Sequence, residues 1–170
     1  PDADADADAD ENPYIPTTSP VAPITSSALF IVTGGSETLT VINTDAEARV
    51  ADIPFYYAHF PHHISLSLDG RVLWVAVPSI DLSQGHNPAQ HGDGSPPQPA
   101  VLKLDAFTGE TLATRILDTP NHNAVQAPDG FVWTSATTDP GAVLVLDPQT
   151  LETTATITVG LGPAEITFTS

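Results

Sequence analysis

The sequence predicts an all-β protein, a β-propeller with about three four-stranded blades that form part of a larger propeller. Three observations lead to this prediction. From residue 28 onward, short runs of β-branched, aliphatic and aromatic residues alternate with small or polar ones. Turn sequences such as Asp-Gly, Thr-Gly and Asp-Pro separate these runs, and no helical period of 3.6 residues persists. Segments of the chain also repeat at a spacing of about 42 residues.

The composition narrows the range of functions. The 170 residues suffice for one domain with a core, and 41% of them are hydrophobic. The absence of Cys excludes disulfides, thiolate metal sites and cysteine nucleophiles. A net charge of −17 with only four Lys and Arg leaves no basic patch, which argues against nucleic acid as a partner. No apolar run is long enough to predict a membrane span.

The N-terminal part of the chain differs from the rest in composition. Residues 1–12, "PDADADADADEN", are predicted to form an acidic tether, and residues 13–27 a Pro/Thr/Ser-rich linker to the partial propeller domain at 28–170. Such tethers follow lipid-anchor sites, so we expect an extracellular, cell-surface or periplasmic protein, anchored through a segment before Pro1 or trimmed there. The alternative for the tether is a weak calcium-binding strip. Its ligands would be Asp2, Asp4, Asp6, Asp8 and Asp10.

The strand pattern predicts twelve strands. They are 28–33, 38–43, 47–53, 64–68, 72–77, 100–105, 110–116, 123–127, 131–136, 142–147, 151–158 and 165–169. Grouped by the Asp-Gly turns, they make about three blades, whereas propellers close with roughly four to eight. We therefore expect the remaining blades to come from a downstream fragment or from a second copy of the chain.

Two sets of repeats support the blade prediction. "VLKLDAFTGETLAT" matches "VLVLDPQTLETTAT", which pairs Asp105 with Asp147 as predicted turn caps, and "TVINTDAEARVADI" is a looser third copy. "HHISLSLDGRVLWV" matches "HNAVQAPDGFVWTS" at an offset of about 60 residues and pairs His62 with His122. The difference between the two offsets locates an insertion at 79–98.

The same motifs carry a resemblance to a known family. "P-H-x-I-x-L-S-x-D-G-x-x-L-W-V" followed by "V-L-x-L-D-x-x-T-G-E" resembles the YVTN-type (surface-antigen-like) propeller repeat. Related propellers occur in nitrous oxide reductase and cytochrome d1-type proteins. The resemblance covers residues 28–170 and implies the fold. It leaves the function open, because these repeats serve enzymes, adhesins and binding proteins alike.

The order of strands in a blade predicts where the histidines lie. If the strands run a, b, c, d outward from the axis, the d-to-a and b-to-c loops emerge on the same face. Three histidines precede inner strand 64–68, one precedes inner strand 123–127, and two lie in the insertion between strands b and c. We therefore expect all six on one face: His59, His62, His63, His86, His91 and His122. The equivalent pair, His62 and His122, should lie near the axis.

This placement suggests a metal site, because imidazole is a common ligand for copper, zinc and iron. The predicted ligands are His62, His63 and His122, with His59, His86 and His91 as further or supporting ligands. Copper is the expected metal, since thiolates are absent and the paired histidine resembles nitrous oxide reductase; zinc and iron are alternatives. The predicted setting is redox or electron transfer, with a redox protein as partner, and enzymatic activity is left open.

The alternative is a non-catalytic propeller for cell-surface binding or adhesion, in which these histidines only hydrogen-bond loop backbone. Glu165, at the entrance to strand 165–169, is expected close to the slot that His62 and His122 fill. Nucleophile-elbow and phosphate-loop motifs are absent from the sequence. Trp74 and Trp133 occupy equivalent second strands and are predicted to pack between blades.

Overall fold

The computed structural model describes residues 14–82, 96 and 98–169, which form twelve β-strands and one 3-10 turn at Gly34–Ser36. The strands are β1 (Thr17–Thr18), β2 (Ala28–Thr33), β3 (Thr38–Asn43), β4 (Ala48–Tyr56), β5 (His63–Leu66), β6 (Val72–Val77), β7 (Ala100–Asp105), β8 (Thr111–Ile116), β9 (Asn121–Gln126), β10 (Val132–Ala136), β11 (Ala142–Leu146) and β12 (Thr153–Thr158). No helix in the described residues is long and apolar enough to cross a membrane.

The strands form three antiparallel four-stranded sheets, so the prediction of an all-β partial propeller is confirmed. Blade 1 has the order β1-β4-β3-β2, blade 2 the order β5-β6-β7-β8, and blade 3 the order β9-β10-β11-β12. Consecutive strands are neighbours throughout blades 2 and 3, and short turns join them everywhere except between β6 and β7, where the insertion lies. Strands β2, β5 and β9 form the inner edge, since β5 contacts both of the others.

Turn chemistry identifies which strands blade 1 contains. Asp105 and Asp147 each accept hydrogen bonds from the backbone N–H groups two and three residues ahead, at 2.8–2.9 Å. Asn43 makes the same pair of bonds at 2.9 Å in the turn between β3 and β4. The looser third copy is therefore a true structural repeat. Strands β2, β3 and β4 correspond to strands b, c and d of the other blades.

This correspondence explains the strand directions along the inner edge. Strands β5 and β9 run parallel, because Ser65 Oγ donates to Ala124 O at 2.7 Å and Leu68 N donates to the Gln126 side chain at 3.0 Å. Strand β2 runs the opposite way, since Gly34 at its end lies against Pro61 at the entrance to β5. A strand of type b thus fills the innermost position of blade 1.

The proline-rich segment 14–27 is extended and packs on the sheets. Strand β1 pairs with β4, and the Thr18 hydroxyl donates to Gly109 O at 2.6 Å in the turn of blade 2. The backbone N–H of Val21 donates to Thr108 O at 2.9 Å, and Ile24 packs against the core. This segment therefore pairs with the outer strand of blade 1 and hydrogen-bonds to a turn of blade 2, which links the two blades at their outer side. Residues 1–12 lie outside the described residues.

Two apolar cores hold the blades together. Leu39, Val41 and Ile53 of blade 1 pack against residues of β6 and β7. Trp74 packs between blades 2 and 3 with a 1% exposed side chain, as predicted. Trp133 occupies the equivalent position on the far side of blade 3, where the Phe168 ring covers it edge-on at 5.7 Å.

The predicted strand 165–169 is wrong. Residues 163–169 run along blade 3 but pair with no strand in the described part of the chain. Their alternating pattern is that of an inner strand, yet a strand needs a neighbouring backbone to hydrogen-bond with. Side-chain contacts to blade 3 hold this segment instead.

Candidate functional site

Two histidines meet at the entrances to the inner strands of blades 2 and 3. His62 directly precedes β5, and His122 is the second residue of β9. Because β5 and β9 are parallel neighbours, equivalent positions lie side by side. The Nε2 atoms of the two rings are 3.1 Å apart, and the rings cross at 78° with centroids 4.4 Å apart.

A third histidine and a carboxylate complete what we call the histidine cluster: His62, His63, His122 and Glu165. One Glu165 oxygen lies 3.2 Å from His122 Nδ1, and the other lies 3.7 Å from His63 Nε2. The carboxylate thus approaches the ring nitrogen of His122 that faces away from His62. Glu165 comes from the segment after β12, so three separate parts of the chain build the cluster.

The electrostatics of the cluster favour neutral imidazoles. Burial lowers the pKa of His62, the neighbouring His122 lowers it further, and the Glu165 carboxylate partly opposes both effects. Burial also lowers the pKa of His63, against the opposing carboxylate and with a smaller contribution from His62. Neutral rings carry a free lone pair on one nitrogen, which can accept a hydrogen bond or bind a metal ion.

A buried polar layer, which the sequence pattern did not predict, supports His122. Asn121 and Asn123, on either side of His122, are both fully buried. The Ser135 hydroxyl of β10 lies 3.2 Å from Asn123 Oδ1, 3.3 Å from the backbone nitrogen of His122 and 3.0 Å from Ala164 O. The available signal was "NHN" at 121–123, where the equivalent positions 61–63 of blade 2 read "PHH", because buried amides need partners.

A cleft of about 420 Å³ opens beside the histidine pair. Its lining residues are Val32, Gly34, Gly35, Phe60, Pro61, His62, Ile80, Asp81, Leu82 and His122. The first residues of the insertion therefore lie on the same face as His62, as the loop order predicts. His86 and His91, further along the insertion, lie outside the described residues.

His59 has a different environment from the cluster. Its side chain is buried, and its Nδ1 atom lies 2.7 Å from a Glu37 carboxylate oxygen in the turn between β2 and β3. Glu37 adopts a left-handed backbone conformation with φ of 50°. This pair ties the β4–β5 loop to blade 1. The aspartates predicted as calcium ligands, Asp2 to Asp10, lie outside the described residues.

The distance between the two histidine rings is compatible with shared binding of a metal ion and with a hydrogen bond between the rings. Nitrogen ligands at about 2.0–2.1 Å from one metal ion lie roughly 2.9–3.4 Å apart, depending on the bond angle. The observed 3.1 Å falls in this range, and it also suits a hydrogen bond between neutral rings. Within residues 14–82, 96 and 98–169, no group of three or more His, Cys, Asp or Glu side chains is arranged to hold a metal ion.

Known proteins with some similarity to this chain were found only among solved structures. No protein-family model matches, and no curated protein matches. Solved structures with some similarity include hydrazine synthase of Kuenenia stuttgartiensis, at 16% identity and a TM-score of 0.32, covering 79% of this chain and 55% of that one. A Bacteroides caccae protein of unknown function has 12% identity and a TM-score of 0.33, covering 88% of this chain and 60% of that one. The chain thus spans less than two thirds of either structure, and likeness at this level carries no argument about function.

Proposed function

We propose that the histidine cluster is a transition-metal site, with copper as the first candidate, on one face of an extracytoplasmic YVTN-type propeller in a redox or electron-transfer setting. One observation carries the proposal. The Nε2 atoms of His62 and His122 approach to 3.1 Å at the edge of a cleft, at the distance of two ligands on one ion.

The surroundings support metal binding in two ways. The lowered pKa values of His62 and His63 leave these rings neutral near pH 7, so the ion need not displace a proton from a charged imidazole. Imidazole and carboxylate donors without thiolates suit copper(II), which binds such sites more tightly than the other divalent first-row metals. A third ligand would come from His63 or Glu165 after side-chain rotation, from the insertion histidines, or from water.

Metal analysis tests the proposal. We expect the protein, purified without chelator and titrated calorimetrically with copper(II) and zinc(II), to bind one ion per chain. The His62→Ala/His122→Ala double variant should lose this binding. Glu152→Gln, on an exposed turn before β12, is a control that changes one acidic side chain away from the cluster. Stoichiometric binding that survives in the double variant, or no binding by the wild-type protein, would contradict the proposal.

A second candidate is a non-catalytic propeller for cell-surface binding or adhesion. Exposed apolar side chains on and beside the inner edge favour it, because Leu29 of β2, Leu66 of β5 and Leu68 in the turn after β5 are each about half exposed or more. In that case His62 and His122 would form only a hydrogen bond between neighbouring loops. Metal content separates the two functions, since the binding propeller needs no ion at this position.

A further inference from the structure

Blade 1 has a free strand edge at its centre, and the segment after β12 has a strand pattern with no strand beside it. Strand β2, of type b, has no neighbour on its inner side among the described strands. Residues 163–169 have the pattern of a strand of type a, yet they pair with no strand in the described part of the chain. We propose that residues 163–169 of one chain pair with β2 of a second copy, and that two such exchanges close a six-bladed ring. This inference does not depend on the proposed function.

The repeat fixes the register of the exchanged pair. "PAEI" at 163–166 matches "PHHI" at 61–64, so Ile166 corresponds to Ile64 of β5. The capping residue at the end of strand c pairs with the first residue of β2 and of β6 alike, so Ile31 corresponds to Val75. Blade 2 pairs Ile64 with Val75. In the exchanged pair Ile166 therefore faces Ile31 of the second copy.

The segment that would be exchanged is already held against blade 3 on one side. The Ser135 hydroxyl donates to Ala164 O at 3.0 Å, and the Phe168 ring packs edge-on against Trp133 at 5.7 Å. Ile166 and Phe168 are half-buried. The alternate side chains are exposed: Glu165, Thr167 and Thr169. Because successive side chains of a strand point to opposite faces, the segment has one face on blade 3 and leaves the other face open.

The receiving edge is an apolar cleft of about 240 Å³ between β2 and β5. Its apolar lining consists of Ala28, Leu29, Phe30, Ile64, Leu66 and Leu73. In the chain itself, the Ser65 hydroxyl of β5 donates to Ala124 O of the next inner strand at 2.7 Å. Thr167 stands at the position of Ser65 in the repeat, so its hydroxyl is placed to make the same bond to β5 of the second copy. The new contact thus continues the interface that blades 2 and 3 already share.

The size and symmetry of the assembly agree with a stable dimer. Three blades are fewer than the roughly four to eight that close a propeller, whereas two copies supply six. Strands about 4.8 Å apart that rise about 3.3 Å per residue give a sheet of four strands of about six residues a face of roughly 400 Å². Two interblade contacts cover four such faces, roughly 1,600 Å² in total, which is the standard size of a specific interface. A two-fold axis makes both contacts identical.

The first test uses cysteine pairs, because the chain has no Cys of its own. The backbone N–H of Ser67 donates to Val72 O in blade 2, so the Ile64–Val75 position is a non-hydrogen-bonded pair. Cα atoms in such a pair lie about 4.5 Å apart, which permits a disulfide. On mild oxidation, Ile31→Cys/Ile166→Cys should form a covalent dimer. The Ile31→Cys/Thr167→Cys control should not, since position 167 points to the other face of the strand.

Three results would overturn the inference. They are equal cross-linking in the two variants, a disulfide within one chain or no disulfide at all, and a ladder of longer oligomers, which would mean that the exchange does not close into a ring.

A second test leaves Ile31 and Ile166 in place. In the proposed register the Thr167 N–H donates to Phe30 O of the second copy, as blade 2 pairs Ser65 with Trp74. Thr167→Pro removes this donor, whereas the Thr167→Ser control keeps both the N–H and a hydroxyl. We expect Thr167→Pro to raise the dimer dissociation constant about 10-fold or more, because each dimer loses the bond twice. Sedimentation equilibrium measures this constant, and circular dichroism verifies that the blades stay folded. A monomeric wild-type chain, or the same dissociation constant in both variants, would contradict the exchange.

Discussion

The two tryptophans on the second strands of blades 2 and 3 allow a direct test of the blade architecture. Trp74 lies between two blades and is 1% exposed, whereas Trp133, at the equivalent position, is covered on its outer side by the Phe168 ring. We expect Trp74→Ala to destabilise the protein much more than Trp133→Ala. The comparison is matched in residue type, strand and position in the repeat.

The magnitudes follow from burial. Replacing a fully buried tryptophan with alanine costs about 3–5 kcal/mol, because packing is lost and a cavity forms. Trp133 is half-buried, and its ring contact with Phe168 contributes about 0.5–1.5 kcal/mol, so we expect a total cost of about 1–2 kcal/mol. Neither indole nitrogen has a hydrogen-bond partner among the described residues, so this contribution cancels in the comparison.

Urea unfolding followed by circular dichroism measures both costs without using tryptophan fluorescence. In a thermal scan, each kcal/mol of lost stability lowers the melting temperature of a chain of this size by about 2–4 °C. The melting temperature should therefore fall by roughly 6–20 °C for Trp74→Ala and by roughly 2–8 °C for Trp133→Ala. Equal costs for the two variants would refute the reasoning that only the Trp74 side of the repeat is covered by a neighbouring blade. A cost below about 1 kcal/mol for Trp74→Ala would refute the interface between blades 2 and 3 itself.

Three further measurements test other parts of the structure. Burial lowers the pKa of His62 and His63 below the ordinary 6.5, so the unfolded chain binds protons first. The free energy of unfolding should therefore be highest above about pH 6.5 and should decline as the pH falls through the lower folded-state pKa values of these histidines. Urea titrations at several pH values measure this decline, which should be smaller in the His62→Ala/His63→Ala variant. Gly109→Ala should lower the melting temperature more than Gly70→Ala; both residues have positive φ, but a Cβ at Gly109 would meet the Ile53 side chain while Gly70 faces open space. Ser135→Ala should cost about 1–3 kcal/mol, because it removes a buried hydroxyl from hydrogen-bonded neighbours, and denaturant titration measures it.

Much of the fold could be predicted because local sequence and tertiary structure agree. Strands β2, β3, β6 and β7 begin and end at the predicted residues, where alternating patterns meet strong turn signals. Strand β1 could not be predicted. It has only two residues, and its place is fixed by hydrogen bonds between Thr18 and the distant residues Gly109 and Thr111. Residues 165–169 show the opposite case, a strand pattern without a described partner strand.

The site was predictable to the extent that it follows from the repeat. The offset between the two inner-strand entrances pairs His62 with His122, and parallel inner strands place equivalent residues side by side. The repeat does not fix what each side chain contacts. His59 lies three residues before His62, yet its ring is paired with Glu37 because the β4–β5 loop crosses the β2–β3 turn of blade 1. Such contacts depend on packing between blades, which no local pattern encodes.

Blade 1 leads to the last prediction, which concerns self-association. It contains strands b, c and d, and no described strand pairs with the inner edge of β2. Leu29 and Leu66 stand exposed along this inner edge, at 49% and 56%, and Leu68, in the turn that follows β5, is 64% exposed. An exposed strand edge beside an apolar surface tends to recruit another chain, unless further blades cover it.

We therefore expect the 170-residue chain alone to associate as its concentration rises through the micromolar range, which sedimentation velocity would show as an increasing weight-average mass. Replacing Leu66 and Leu68 with serine should weaken this association, because it removes apolar surface from the inner edge without touching either interblade core. Leu112→Ser is a matched control, since Leu112 is 50% exposed on the outer strand β8. If the inner edge needs a partner, the serine variants should associate clearly less than the Leu112→Ser control at the same concentration. A compact monomer at every concentration, with the same sedimentation in all variants, would mean that three blades are stable on their own and that the inner edge requires no partner.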